Sequence, residues 1–385
     1  MKNHIFLIVV AILTITLVFI PTGFENSSIT LSSLFEKGVV LETDNTDLQS
    51  FSIITTGTQV VKLQIKSGKF AGDTVSAKNV LLGQKNTDKI FRPGDKVLAV
   101  MQLDPTRETY TGVRAADYYR QDMIIVLFIC FAVFLILFSR FVGVKIILSF
   151  VFTALCLWKV LIPLYLKGFS PLIVATGVVF ICSVVILLLV GGITRRGIVA
   201  LLGTMAGVFV TALLAIVFGY LFNIPGTVQE YSEALLYTGF TNLNLSEIFI
   251  SVIFISSAGA VMDVSMDISA AQYELIQHMP YLSRKELIKS GFRVANPVIG
   301  SMTTTLLFAY SGSFMFAFMA FMAKGIALES IVNTGYIAAE ILQSLVGSFG
   351  FVLVAPLTAI IGGYVYTHNR PEMAKKGVVF SSQVH

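Results

Sequence analysis

The sequence predicts an α-helical polytopic membrane protein of about eight transmembrane helices, with a small extracytoplasmic all-β domain between helices 1 and 2. Three observations lead there. Hydrophobic residues fill 55% of the 385 positions and charged residues only 13%, a balance foreign to ordinary soluble domains. Apolar runs long enough to cross a ~30 Å hydrocarbon layer recur along the chain. One polar segment interrupts them early, and it alternates apolar and polar residues at the period of a β-strand.

Windows of ~20 residues place spans near residues 5–20, 123–138, 144–166, 171–190, 198–222, 248–268, 296–323 and 336–366. The expected organisation is an N-terminal membrane anchor (1–22), the β-domain (24–121), a seven-helix membrane domain (123–366) and a cytoplasmic tail (367–385). The first span follows Lys2 and His4 and precedes Pro21-Thr22-Gly23. No small-x-small cleavage site follows it, so it reads as an uncleaved anchor.

Within 24–121, "TQVVKLQIKSG" and "DKVLAVMQLD" alternate at period two. Turn formers divide them at Ser67-Gly68, Ala71-Gly72-Asp73 and Arg92-Pro93-Gly94-Asp95. This predicts a barrel or sandwich of about five strands. Tyr118, Tyr119 and Arg120, just before the second span, have the composition of an interfacial belt.

The net charge of +5 does not point to nucleic acid. Residues 22–122 contain twelve Lys/Arg and twelve Asp/Glu, so the excess sits in short loops of the membrane half, where it reports topology. With the N-terminus inside, the inner loops and tails carry Lys2, Arg140, Lys145, Arg195, Arg196, Arg284, Lys285, Lys289, Arg293, Arg370, Lys375 and Lys376, against Lys167 and Lys324 outside. Both termini are therefore expected in the cytoplasm and residues 24–121 outside. Cys130, Cys156 and Cys182 all lie in apolar runs, so no disulfide framework is implied.

Two polar insertions predict surface helices. "TVQE" from Thr227 has the form of a capping box and places one near 228–237. The second insertion covers 270–290, where one helix must stop before Pro280 and another starts at a Ser283 to Glu286 capping box and ends at Gly291. Gly203 and Gly207 form a G-x-x-x-G, a signature of close helix packing. Lys159, beside Trp158, is expected to snorkel outward.

The enzyme tests fail. His4, His278, His368 and His385 lie in tails or in the inner linker, so no serine or cysteine in a span has a histidine at its depth to activate it. "GSFG" at Gly347 to Gly350 is then a packing motif. No G-x-x-x-x-G-K-[ST] occurs, so the chain does not hydrolyse ATP through a P-loop. An intramembrane aspartyl protease draws its acids from two helices, whereas here Asp263 and Asp267 share one.

Those two carboxylates, in "AVMDVSMD", raise the sharpest functional expectation. At 100° per residue Ser256, Gly259, Asp263, Met266 and Asp267 fall on one helix face. Counted from Glu247, Asp263 is ~24 Å along the helix, near the inner third of the bilayer. Asp267 has a plain reading as a hydrated residue at the end of the span, and Asp263 as interhelical glue. Yet two acids this close repel when both are ionised, so they call for a cation, a basic partner or a shared proton.

On the seventh span Asn296, Gly300, Thr304 and Ser311 form a stripe, with Thr304 at a depth comparable to Asp263. Oxygen ligands suit a hard divalent cation, and the Met266 thioether would shift the preference toward a transition metal. The candidate ion-binding set is therefore Asp263, Asp267, Met266, Thr304 and Asn296, the two aspartates being the candidate metal ligands. Glu340 on the eighth span, sharing a face with Ser344 and Gly347, is a candidate for the outer end of a path, and Pro356 is expected to kink or break that helix. Glu230, Glu233 and Glu247 crowd the outer loop 223–247, which has no basic residue and would concentrate cations.

Four stretches also resemble the YibE/F family of bacterial membrane proteins: "TRRGIVALLGTMAGV" (194–208), "SSAGAVMDVSMDIS" (256–269), "SMTTTLLFAYSG" (301–312) and "EILQSLVGSFGFVLVAPLTA" (340–359). The β segment ahead of the spans resembles the longer, YibE-type member. Where the family more often has Asn-Thr-Leu, this chain has Thr304-Thr305-Leu306. The resemblance implies a multi-pass protein of the bacterial cell membrane that works beside a YibF-like partner or a second copy of itself.

Taken together, the expectation is a transport component for a small cation, proton-coupled or divalent metal, that does not itself hydrolyse ATP and is not an enzyme. The alternative is a non-transporting assembly or envelope-interaction protein whose outer β-domain binds a partner.

Overall fold

The computed structural model describes residues 2–25 and 32–368. Most of the expected cytoplasmic tail, 369–385 with Arg370, Lys375, Lys376 and His385, lies outside the described residues. The chain divides into two compact units, one of Pro21–Phe138 and one of Met1–Ile20 with Ser139–His385.

Helix α1 covers Lys2–Phe19. Six strands follow in the first unit: β1 (Ser33–Asp44), β2 (Gln49–Phe51), β3 (Ile54–Ile65), β4 (Thr74–Leu82), β5 (Lys96–Leu103) and β6 (Tyr110–Tyr118). The expected count of five missed the three-residue β2, which is too short to show a period. The order is β1-β5-β6-β4-β3-β2, and a further β1–β3 pairing closes the sheet on itself. The alternation seen in the sequence is the barrel's inside and outside: β4 reads exposed and buried at strict period two, and Val61, Leu63, Val75, Ala77, Val97, Ala99 and Met101 fill the interior.

Closure leaves a buried polar network. The Gln59 side chain, fully buried, donates to Phe91 O at 2.8 Å and to Asn45 Oδ1 at 2.8 Å. Its carbonyl accepts from Asn79 Nδ2 and from the Phe91 N–H, both at 3.0 Å. These bonds fasten the loop that carries Lys89 to Phe91 onto the barrel.

The remaining elements are helical. Helix α2 (Gln121–Cys156) breaks at Arg140 (φ 48°, ψ −125°), between the windows expected at 123–138 and 144–166. A π turn (Leu157–Leu161) and α3 (Ile162–Leu166) continue it, followed by α4 (Pro171–Val190) and α5 (Arg195–Leu221). A 3₁₀ turn (Gly226–Val228) and the short α6 (Ser232–Tyr237) precede α7 (Leu245–His278), α8 (Arg284–Ala323), α9 (Leu328–Asn333) and α10 (Gly335–Thr367).

By length and apolarity, five described helices are fit to cross a membrane: Gln121–Leu166, α4, α5, α7 and α10. The α8 pair, bent by 66° near Gly312, makes a sixth, and α1 is a shorter apolar helix. The mostly helical chain is therefore a membrane protein.

The core of the second unit is where α5, α7, α8 and α10 meet, around Val208, Phe254, Val261, Val264, Ala295, Phe351 and Ala355. Glycines permit the contact. A methyl group built on Gly207 would lie 2.6 Å from Val354 Cγ2 and 2.8 Å from Val261 Cγ1, and one on Gly203 would lie 2.2 Å from Thr358 Oγ1. The G-x-x-x-G therefore packs α5 against α7 and α10, as expected of small residues in a membrane. Gly350 returns the favour, its Cα facing Thr211 so closely that a methyl would fall 2.1 Å from Oγ1. "GSFG" is likewise packing.

Several local expectations need correction. Residues 228–237 do not form one helix capped at Thr227: Tyr231 adopts a left-handed conformation (φ 62°) and caps a helix of only six residues. The inner insertion 270–290 is no separate surface element: α7 runs on to His278, stopping before Pro280 as expected, but α8, which begins at Arg284, does not end at Gly291 and continues to Ala323. The Ser283 capping box is formed on both sides. Pro356 does not break α10, which runs through it without interruption. Lys159 does turn to the helix surface, donating to Ile20 O at 3.0 Å.

Candidate functional site

Helix α7 is one uninterrupted helix through the Ser257-Ala258-Gly259 stretch, started by Asn244, whose side chain accepts from the Glu247 N–H at 3.1 Å. Its two faces carry different polar groups. On the packed face most of these groups are partnered inside the bundle, although the Gln272 Oε1 is buried with no partner among the described residues. Ser251 meets Tyr165 Oη at 2.7 Å, Ser269 meets Tyr366 Oη at 2.7 Å, and Gln272 Nε2 donates to Leu287 O and Ala359 O at 3.0 Å each.

The other face is the predicted stripe. Of its five members Ser256, Gly259, Asp263 and Asp267 are exposed and Met266 is half-buried, while Val252, which was not expected there, extends the exposed line toward the helix start. A methyl on Gly259 would touch nothing within 4 Å. Among the described residues, no hydrogen bond or ion pair holds either aspartate. Nor, among the described residues, do three or more His, Cys, Asp or Glu gather in a way that would hold a metal ion.

The top of the stripe is tied to its neighbours. Ser256 Oγ accepts from Tyr310 Oη of α8 at 3.3 Å and from Gln343 Nε2 of α10 at 3.2 Å. Neither donor was anticipated. Gln343 lies three residues after Glu340, beside the face shared by Glu340, Ser344 and Gly347, so its polarity in an apolar run was a signal; Tyr310 was hidden by its amphipathic character. Glu340 is half-buried and, with Glu230, lies near the Tyr336 hydroxyl. At ~1.5 Å per residue Asp263 is ~10 Å along α7 from Ser256. The order along the helices is thus Glu340, Gln343 with Ser256 and Tyr310, then Asp263 and Asp267.

The other expected ligands are placed differently. Met266 is half-buried, and its thioether packs on the end of α4, where a methyl on Gly191 would meet Met266 Cε at 3.0 Å. Asn296, Gly300 and Thr304 are exposed. The residues by which α8 packs on the core are Ala295, Val298, Ile299, Met302 and Leu306, and a helical projection puts Thr304 roughly opposite them. No hydrogen bond joins Asn296 or Thr304 to Asp263 among the described residues. What the structure brings together is therefore the Ser256 junction and the two acids in line with it.

The family model described as YibE/F-like protein matches residues 127–368, well over half of the chain. The chain belongs to the YibE/F-like family. No curated protein and no solved structure matches it. Every candidate residue of this YibE/F-like chain falls inside the matched region, as do the Tyr310 and Gln343 donors, whereas the whole β barrel falls outside it.

Proposed function

We propose that this chain is a component that moves a small cation across the bacterial cell membrane, driven by a gradient or by a partner, with Asp263 and Asp267 as ligands or proton carriers. In this reading the chain crosses eight times, α2 counting as two spans at the Arg140 break, both termini are cytoplasmic and the barrel is extracytoplasmic. The observation that supports it is the outward face of α7: two exposed carboxylates, Asp263 within the span and Asp267 toward its inner end, to which the described residues supply no hydrogen bond or ion pair. A charged residue at the centre of a span costs about 2.5–3.5 kcal/mol even on insertion scales. A proton, a cation or a second membrane subunit must therefore meet that face, and the subunit is a YibF-like protein or another copy of this chain. Asn296 and Thr304 would contribute only across such an interface, and Glu340 stands at the outer end of the polar line.

The same exposure favours a second reading. The acids look outward from the bundle instead of into a cavity enclosed by it, as expected of a scaffold that docks a subunit through a polar stripe and transports nothing. Cation and proton flux in liposomes containing the chain with its partner separates the two. Flux that is present in the wild type and lost in Asp263→Asn supports transport; equal flux in both, or none in either, supports the scaffold.

A further inference from the structure

The outer surface of the β barrel changes character along its length. The outward residues of β4 are Thr74, Ser76 and Lys78, then Val80 and Leu82, the last two 53% and 70% exposed. The switch from polar to apolar has a position. β4 and β6 run parallel with Lys78 level with Arg114, so Leu82, four residues on, comes level with Tyr118, just before α2 begins at Gln121. β3 is antiparallel to β4 with Thr56 opposite Leu82, and Phe51 pairs with Ile54 across the β2–β3 turn. At ~3.3 Å per residue the turn reaches ~7 Å past Leu82, to the level at which α2 starts.

That turn is apolar and open. Phe51 is 57% exposed and Ile53 71%, and Ile54 lies beside Gly83, where a methyl would be 3.5 Å from its Cδ1. The loop from Gly83 leads to Lys89, which pairs with Asp117 at 3.2 Å, and to Ile90, 42% exposed, whose carbonyl accepts from Tyr118 Oη at 3.5 Å. The patch is thus continuous with the place where the chain enters the bilayer, and the first part of α2 belongs to the same compact unit as the barrel.

We infer that the β2–β3 turn, Phe51 to Ile54, with Leu82 beside it, is a membrane-contact surface that seats the barrel on lipid, its apolar side chains at the boundary between headgroups and acyl chains. An exposed patch of this kind would be a liability in water. At the membrane interface the aromatic and aliphatic side chains gain from burial, and the exposed Lys85 in the adjoining loop can reach phosphate. The barrel then keeps a fixed face toward the bilayer instead of swinging on its connection to α2.

The test uses the full chain in phosphatidylcholine–phosphatidylglycerol vesicles with its one tryptophan replaced (Trp158→Phe). In that background Phe51→Trp reports the turn, Leu82→Trp the neighbouring strand, and Thr106→Trp the loop before β6, at the other end of that strand. Emission from the first two is expected to be blue-shifted, shielded from acrylamide and quenched severalfold more than the third by lipids brominated near the top of their acyl chains. Emission and acrylamide access matching the Thr106→Trp control would overturn the inference. So would a blue shift without bromolipid quenching, because a protein surface would then be covering the patch.

Discussion

Tyr310 and Ser256 join α8 to α7 through a hydrogen bond of 3.3 Å, and Gln343 of α10 donates to the same oxygen at 3.2 Å. One serine hydroxyl thus ties three helices at the head of the acidic stripe. Hydrogen bonds between membrane helices contribute about 0.6 kcal/mol on average, so Tyr310→Phe is expected to cost about that much. Ser256→Ala, which removes the shared acceptor, should cost roughly the sum of Tyr310→Phe and Gln343→Leu, about 1–2 kcal/mol. Unfolding of the four proteins in detergent tests this; a neutral Ser256→Ala would show that the junction is incidental.

Glycines on the two faces of the bundle should respond in opposite ways. Gly207 is hemmed in by Val354 and Val261, both stiff β-branched side chains that cannot swing aside. Gly207→Ala is therefore expected to destabilise the chain by about 1–3 kcal/mol through overpacking. Gly259→Ala meets nothing within 4 Å and should gain up to about 1 kcal/mol from helix propensity. A bulky Gly259→Leu then becomes informative. If a subunit covers the stripe, it leaves the stability of the isolated chain unchanged and lowers the fraction recovered as a complex by native mass spectrometry.

That contrast also marks how far the sequence could be read. Hydropathy found the long helices, the Ser283 capping box set the start of α8, and the Gly203-x-x-x-Gly207 spacing identified a tight contact, because each rests on local chemistry. Period arithmetic also placed Asp263 and Asp267 on one stripe correctly. It could not say what the stripe faces, since lipid tails and helix interiors are equally apolar and no hydrophobic asymmetry separates inside from outside within a bilayer. The helix expected from Thr227 failed for a different reason. Ser232 Oγ donates to Thr227 O at 2.9 Å and to Gln229 O at 2.5 Å, so the loop closes on itself first and the cap moves to Tyr231.

The barrel's stability should hinge on Gln59. Its amide is fully buried and serves Asn45, Asn79 and the Phe91 backbone together. Gln59→Leu keeps the volume but strands the Phe91 N–H and carbonyl, which costs about 1–3 kcal/mol for each unsatisfied buried group. The loop bearing Lys89 and Ile90 should loosen first. Hydrogen exchange at residues 84–92 in the full chain is the direct readout: protection there is expected to fall in Gln59→Leu while the helices of the second unit are unaffected.

Acid should weaken the junction between the barrel and α2. Burial pushes the Asp117 carboxyl up, but Arg120 at 3.0 Å, the Tyr118 N–H at 2.6 Å and Lys89 at 3.2 Å together outweigh it and hold the group below the usual aspartate range. Asp104 is lowered as well, chiefly by the Thr106 hydroxyl at 2.5 Å and further by the backbone of the same turn. A carboxylate lowered on folding contributes stability that is complete above its unfolded-state value, near pH 4. The contribution disappears as the pH falls through the lower folded value. The barrel is therefore expected to keep its stability from neutral pH down to about 5 and to lose it progressively below about 4. Asp117→Asn should be less stable than wild type at neutral pH and show a shallower acid limb, measured as urea midpoints of the barrel's near-ultraviolet signal against pH. Parallel acid limbs in the two proteins would place the sensitivity elsewhere.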